Sequence, residues 1–330
     1  MRACLYETLD DQDVRCNLCN HRCVIPLGRR GICQVRHNEG GALRALVYGR
    51  LIARHVDPIE KKPMFHLLPG SRSYSIATVG CNFRCRFCQN ADIAQMPRDR
   101  DGLVMGDQCT PQEVVADALR HKCQSIAYTY TEPTIFFEFA LDTAKLAHGQ
   151  GLKNVFVTNG YMTPEALEMA TPFLDGANVD LKAFSDDFYK HQCGARLAGI
   201  LVEVTTLLIP GLNDDPKELE ALAAFLVNDL GPETPWHLSR FHPTYRLTDR
   251  PSTPVETLRC AREIGVRAGL RYVYMGNVPG EEGENTACHK CGTLLIERWG
   301  FTIRQNAVVD DRCPKCAEPV YGIGMGVPSS

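Results

Sequence analysis

No stretch of this 330-residue sequence approaches 18 uninterrupted apolar residues, which excludes a conventional membrane-spanning helix. Its opening, Met1 to Asp13, has no apolar core of the secretory-signal kind, so a soluble cytoplasmic protein is expected. There is no excess of positive charge either. The 36 Lys and Arg stand against 39 Asp and Glu, leaving −3 at pH 7, and no global field calls for nucleic acid or an anionic membrane. Isolated cysteines are few: of 16 in the chain, ten or more fall in clusters with metal-ligand spacing. That distribution argues against a disulfide framework and for a reducing compartment. With 44% hydrophobic residues the chain can bury a substantial core, enough for one α/β barrel of roughly 200 to 250 residues with smaller attachments.

Three cysteine clusters carry the chemistry. Cys81, Cys85 and Cys88 stand at C-x3-C-x2-C spacing, able to ligate three irons of a [4Fe-4S] cluster and leave the fourth open. An open iron points to chemistry, because a cluster that only carries electrons normally takes four thiolates. The run Ser73 to Gly80 before them alternates and is β-branched like a strand, so the cysteines fall in the loop past its C-terminal end. That is where (β/α) barrels keep their active sites. Upstream, Cys16, Cys19, Cys23 and Cys33 form a second set within 18 residues, with Gly28 and Gly31 permitting tight turns. This tetrad suits zinc or an auxiliary iron–sulfur cluster, with reduced free thiols as the plain alternative. Near the C-terminus, Cys288, Cys291, Cys313 and Cys316 make two C-x2-C knuckles around a hairpin-like stretch, Leu294 to Ile303. They resemble a zinc ribbon or rubredoxin-like module and favour a structural Zn2+.

From about residue 74 short β-like runs alternate with helical patterns, the signature of a parallel sheet built from βα units. Strands are predicted at Tyr74 to Val79, Ser125 to Thr129, Asn154 to Thr158, Gly176 to Leu181, Leu201 to Ile209 and Trp236 to Phe241, with Tyr272 to Met275 as a candidate seventh. Helices are predicted at Pro111 to Lys122, Thr134 to His148, Pro164 to Ala170, Pro216 to Val227 and Val255 to Ala268. Pro111, Pro164 and Pro216 each follow Thr or Asp, a capping residue before a favoured first-turn proline.

The Cys81 motif, following a strand and with Phe87 before its last cysteine, resembles the radical S-adenosylmethionine (radical SAM) superfamily. In that superfamily SAM chelates the open iron and is cleaved to a 5′-deoxyadenosyl radical. The resemblance implies an α/β fold, a partial (β/α)6 TIM-like barrel over 73–280. An N-terminal Cys-rich module is expected over 1–72 and a zinc-ribbon-like module over 281–330. It also gives roles to residues at the predicted strand ends. Glu132 stands where relatives carry a Gly-Gly-Glu element whose acid accepts a hydrogen bond from the SAM ammonium, with Thr129 and Tyr130 in place of the glycines. Thr158, Asn159 and Gly160 followed by Asp180, Leu181 and Lys182 resemble the pyruvate formate-lyase (glycyl-radical) activating enzymes, in which the Asp and Lys help to hold SAM. Alternation puts Asp180 and Lys182 on one face, where each needs a partner. Val157 stands where those activases can carry an additional Asp. His242 matches the activase histidine near the SAM ribose, and His237 reads better as a satisfied core histidine. Phe87, Glu132, Asn159, Asp180, Lys182 and His242 are the expected cofactor-binding set.

Three further stretches, Ala53 to Pro63, His66 to Gly70 and Gly276 to Thr286, narrow the resemblance to the AmmeMemoRadiSam system radical SAM enzymes over nearly the whole chain. That likeness implies an AMMECR-type or Memo-type protein as substrate and a low-potential donor such as flavodoxin or ferredoxin. Two alternatives stay open: radical modification of a small molecule, and a metal or electron-transfer scaffold without SAM chemistry. Glu132, Asp180, Lys182 and His242, four polar residues at three separate strand ends, favour the enzyme, since a scaffold has no need of them.

Overall fold

The computed structural model describes residues 1–193, 203–278 and 280–326. The chain forms two compact units, one built from Met1–Asp57, Arg72–Ala177 and residues 190–193, the other from Pro58–Ser71, Asn178–Tyr189 and the described residues after 202.

In the first unit the strands Lys153–Thr158, Ser125–Tyr128 and Arg72–Ala77 lie side by side and parallel, with Ala127 opposite both Val155 and Ser75. Every residue of Ser125–Tyr128 is buried, as expected for a parallel strand covered on both faces. The helix Pro111–Arg120 starts at a reciprocal capping box between Thr110 and Glu113, and Thr163 caps Pro164–Ala170 through the Ala166 amide. The helix predicted from Thr134 opens instead as a 3-10 turn, Pro133–Phe136, and becomes α only over Phe137–Gly149. The cause is local: the Glu132 side chain accepts from the Thr134 amide and tightens the first turn.

The N-terminal segment of this unit is antiparallel, with Tyr6–Thr8, Val14–Cys16 and Val24–Ile25 in one sheet and Arg36–Glu39 paired to Ala42–Ala45. A buried ion pair secures it to the helix Phe137–Gly149. Arg36 donates to both oxygens of Glu138 at 2.7 Å, and Glu138 also accepts from the Cys4 amide. Burial opposes the charged carboxylate, but the guanidinium outweighs it and holds Glu138 below the usual carboxylate range.

In the second unit Glu203–Leu208, Trp236–Arg240 and Val273–Gly276 run parallel, and Glu203–Leu208 pairs with Asn178, Val179 and Asp180 of the preceding strand. The candidate seventh strand is therefore present, one residue later than predicted. Residues 201 and 202 of the predicted fifth strand lie outside the described residues. The helices Pro216–Phe225 and Val255–Ala268 cover this sheet: Leu219, Leu222, Leu258 and Ile264 share one core with Leu181, Leu208, Trp236 and Leu238. The C-terminal part is an antiparallel sheet of Thr286–Ala287, Leu294–Trp299 and Thr302–Asn306, which contains the hairpin expected between the knuckles. Among the described residues no helix is long and apolar enough to cross a membrane.

Removing the carboxylate from the Arg36–Glu138 pair leaves a buried guanidinium uncompensated. Glu138→Gln should therefore cost about 3 to 5 kcal/mol, read from the shift of the urea unfolding curve under anaerobic conditions. Gly80 has φ +102°, and a Cβ there would meet Val35 Cγ1 at 2.8 Å and the Cys33 carbonyl at 3.2 Å. Gly80→Ala is expected to cost more than about 1 kcal/mol, checked by thermal melting.

Candidate functional site

The strand Arg72–Ala77 is buried from Ser73 onward and delivers the chain to Cys81 through Gly80, whose positive φ turns the backbone into the cysteine loop. Cys85 is buried and Cys81 and Cys88 are partly so. The Phe83 amide reaches the Cys81 sulfur at 3.4 Å. The Arg84 and Arg86 amides donate to the carbonyls of Cys193 and Gln192, which fixes the loop's far side. Burial, and after it the Glu132 charge, pushes the Cys81 thiol far above its ordinary range. A cation at the site would reverse that balance, since a coordinating thiol is deprotonated by the metal it binds. Phe87 is buried, 3% exposed, beside the last of the three cysteines.

Glu132 and Asn159 come together with this loop. Glu132 is 1% exposed, and its carboxylate accepts from the Thr134 amide at 3.0 Å, the Thr134 and Thr158 hydroxyls at 2.5 and 2.8 Å, and the Asn159 amide at 2.9 Å. Burial raises its pKa, and these donors oppose the rise. Asn159 in turn donates from Nδ2 to Asn82 Oδ1 at 2.7 Å, linking the end of Lys153–Thr158 to the residue after Cys81. His21, in the N-terminal cysteine segment, contacts the Asn82 carbonyl at 2.8 Å through Nε2.

The remaining strand-end residues lie in the second unit. Lys182 Nζ meets Asp180 Oδ2 at 2.5 Å, so the two charges partner each other. Asn213 holds the Lys182 carbonyl at 2.7 Å, and the Lys182 amide donates to the Tyr189 hydroxyl at 2.9 Å. Val179 and Leu181 are buried, but the strand Gly176–Asp180 stops before Lys182, and the Leu181 amide turns back to the Val179 carbonyl at 3.0 Å. His242 is exposed and contacts Ser252 Oγ at 3.0 Å. His237 is buried against Glu203 at 2.7 Å, a core histidine as expected.

At the C-terminus the ligand atoms of Cys288, Cys291, Cys313 and Cys316 all lie within 4.8 Å of one another. Cys288 and Cys316 are 3.6 Å apart and Cys291 and Cys313 are 3.7 Å apart, sulfur to sulfur. Hydrogen bonding from Thr293 holds the Cys291 thiol down, to about 6. The tetrathiolate geometry suits one tetrahedral metal ion.

Sequence reasoning missed Asn82, Thr134 and His21, and it named Thr158 only as part of the Thr-Asn-Gly stretch, with no role of its own. The signal for Asn82 and His21 was their position inside cysteine motifs. Thr134 and Thr158 flank strand ends that had already been marked, and hydroxyl donors around a buried acid were the chemistry to look for.

Known proteins share part of this sequence. The sequence model of the radical SAM superfamily matches residues 75–226. An uncharacterised protein of Methanocaldococcus jannaschii is 46% identical over 332 residues, covering 96% of this chain and 98% of its own length. The pyruvate formate-lyase-activating enzyme of Streptococcus mutans is 26% identical over 181 residues, 48% of this chain and 66% of that enzyme. Among solved structures, a domain of pyruvate-formate lyase-activating enzyme from Bacteroides vulgatus aligns over 46% of this chain and 99% of its own, at 20% identity and TM-score 0.41. The parallel βα architecture, the three-cysteine loop past a strand and the family match together make this chain a member of the radical SAM superfamily, with similarity to the glycyl-radical activating enzymes.

Proposed function

We propose that this protein is a radical SAM enzyme that holds a [4Fe-4S] cluster on Cys81, Cys85 and Cys88 and abstracts hydrogen from a partner protein. On this reading it is the radical SAM component of an AmmeMemoRadiSam system. The observation that carries the reading is the loop itself: three thiols leave a parallel strand, and the buried chain Glu132, Asn159 and Asn82 fixes the loop at its start. When bound, the cluster and SAM supply reductive cleavage of the sulfonium to a 5′-deoxyadenosyl radical.

The protein's own residues bind and orient. Asp180 and Lys182 offer opposite charges to the ammonium and carboxylate of a zwitterion, exchanging their mutual contact for the ligand's. Glu132 and Asn159 form the wall beside Cys81. Four intrachain donors already reach the carboxylate, so an ammonium there would displace one of them. Phe87 and His242 complete the proposed SAM contacts. The C-terminal tetrad is proposed to hold a structural Zn2+, because tetrahedral Zn–S bonds of about 2.3 Å require sulfurs about 3.8 Å apart. Electrons would come from a low-potential donor of the flavodoxin or ferredoxin class, in a cytoplasm that keeps the thiols reduced.

Single variants Glu132→Ala, Asp180→Ala and Lys182→Ala should keep the cluster's visible spectrum and bind SAM about 1 to 3 kcal/mol more weakly, measured by calorimetry on anaerobic protein. Unchanged affinity in all three would remove these residues from the SAM site.

The partner reading predicts coupling. Deoxyadenosine release by the reconstituted enzyme alone should be slow and should accelerate with an AMMECR-type or Memo-type protein. Deuterium should pass from a labelled partner into deoxyadenosine, followed by mass spectrometry. Stimulation and label transfer by a small metabolite, with none from any protein, would replace the activase reading by small-molecule chemistry.

A further inference from the structure

Four cysteines built for one ion look like the C-terminal tetrad. The N-terminal four do not. Cys16, Cys19, Cys23 and Cys33 all line one recess in the first unit, together with Arg36 and Asn82. Among the described residues, however, it is the C-terminal tetrad whose ligand atoms come within 4.8 Å of one another, and no three of the N-terminal thiols do so. A tetrahedral zinc draws its thiolates to about 3.8 Å from each other. A cubane places four irons and four sulfides between its thiolates and holds them farther apart.

The lining of the recess gives a second, independent observation. Arg36 Nε and Asn82 Nδ2 are buried donors without a hydrogen-bond partner, on residues only 2% and 1% exposed. Buried donors are rarely left unpaired without a reason. A zinc tetrathiolate offers only its four ligand sulfurs as acceptors. An iron–sulfur cluster adds bridging sulfides, and hydrogen bonds to cluster sulfurs are a standard means of tuning it.

We propose that the N-terminal tetrad holds a second [4Fe-4S] cluster, ligated by Cys16, Cys19, Cys23 and Cys33 and hydrogen-bonded by Arg36 and Asn82. Its place in the fold is beside the first cysteine loop. Asn82 belongs to that loop and lines the recess, and the Cys33 carbonyl packs against Gly80, the residue before Cys81. The inference concerns metal content and does not depend on SAM chemistry at Cys81.

The test uses the full chain carrying Cys81→Ala, Cys85→Ala and Cys88→Ala, reconstituted anaerobically with iron and sulfide. About four iron, four sulfide and one zinc per chain are expected, against about eight iron in the unsubstituted protein. After dithionite reduction the variant should show a [4Fe-4S]+ electron paramagnetic resonance signal that SAM leaves unchanged, since all four irons have protein ligands. Adding Cys16→Ser and Cys33→Ser should abolish the iron while zinc stays at about one per chain, which reports that the C-terminal module remains folded. Two zinc and no iron in the triple variant would overturn the proposal. So would iron that persists after Cys16 and Cys33 are replaced.

Discussion

Where the charge of Glu132 goes determines the open end of the first unit. A carboxylate 1% exposed cannot be left without donors, and the four it receives come from the 3-10 turn after Ser125–Tyr128 and from the end of Lys153–Thr158. The acid thus ties two neighbouring strand ends. Through the Asn159 amide it also sets the orientation of a side chain whose other end grips Asn82. Asn82, the residue after Cys81, is thereby held at its side chain by Asn159 and at its backbone carbonyl by His21. Three ligands on a loop can hold one geometry only if the loop cannot relax, and this chain of buried polar contacts supplies that rigidity.

The second unit is organised by a different buried acid. Glu203 accepts from His237 at 2.7 Å and from the amides of His66 and Phe65 at 3.0 and 3.2 Å. Burial opposes its charge, but His237 and the other partners outweigh it and hold the carboxyl below the usual range, while burial lowers His66 to about 4. Arg298 stands 4.2 Å over the Phe65 ring and donates to the Phe65 carbonyl and to Thr286. Tyr274 bridges His66 and Thr286. The stretches around His66 and Thr286, which narrowed the family resemblance, therefore meet in a packing knot. A buried polar cluster of this kind is weak evidence of stability, but each member fixes the register of the segment that carries it.

Much of the parallel core was legible because its signals are local. The β-branched runs Ser125 to Thr129 and Asn154 to Thr158 could be little else, and Thr110–Pro111, Thr163–Pro164 and Asp215–Pro216 mark helix starts by a capping side chain and a proline that needs no amide partner. Alternation put Asp180 and Lys182 on one face, although the strand stops at Asp180, and it implied that each needed a partner. It did not show that they would find one another. The N-terminal pairings were illegible for a physical reason. Arg36 and Glu138 are 102 positions apart, and nothing in either neighbourhood announces the other beyond an acid set among Phe136, Phe137 and Phe139.

Cysteine spacing shows the same boundary between local and non-local information. Each C-x2-C knuckle at the C-terminus places two thiols on one tight turn, and the antiparallel strands Leu294–Trp299 and Thr302–Asn306 between the knuckles return the chain so that the pairs face each other. The separation of those sulfurs follows from short-range geometry. The N-terminal four are drawn from unlike places. Cys16 ends a strand, Cys19 bridges to Met162, and Cys33 follows a turn in which Gly28 has φ +72° and Gly31 lies where a Cβ would come within 3.1 Å of Ile25. Two tetrads alike in composition thus differ in how their thiols are delivered: two local knuckles joined by a hairpin in one, a strand end and separate turns in the other.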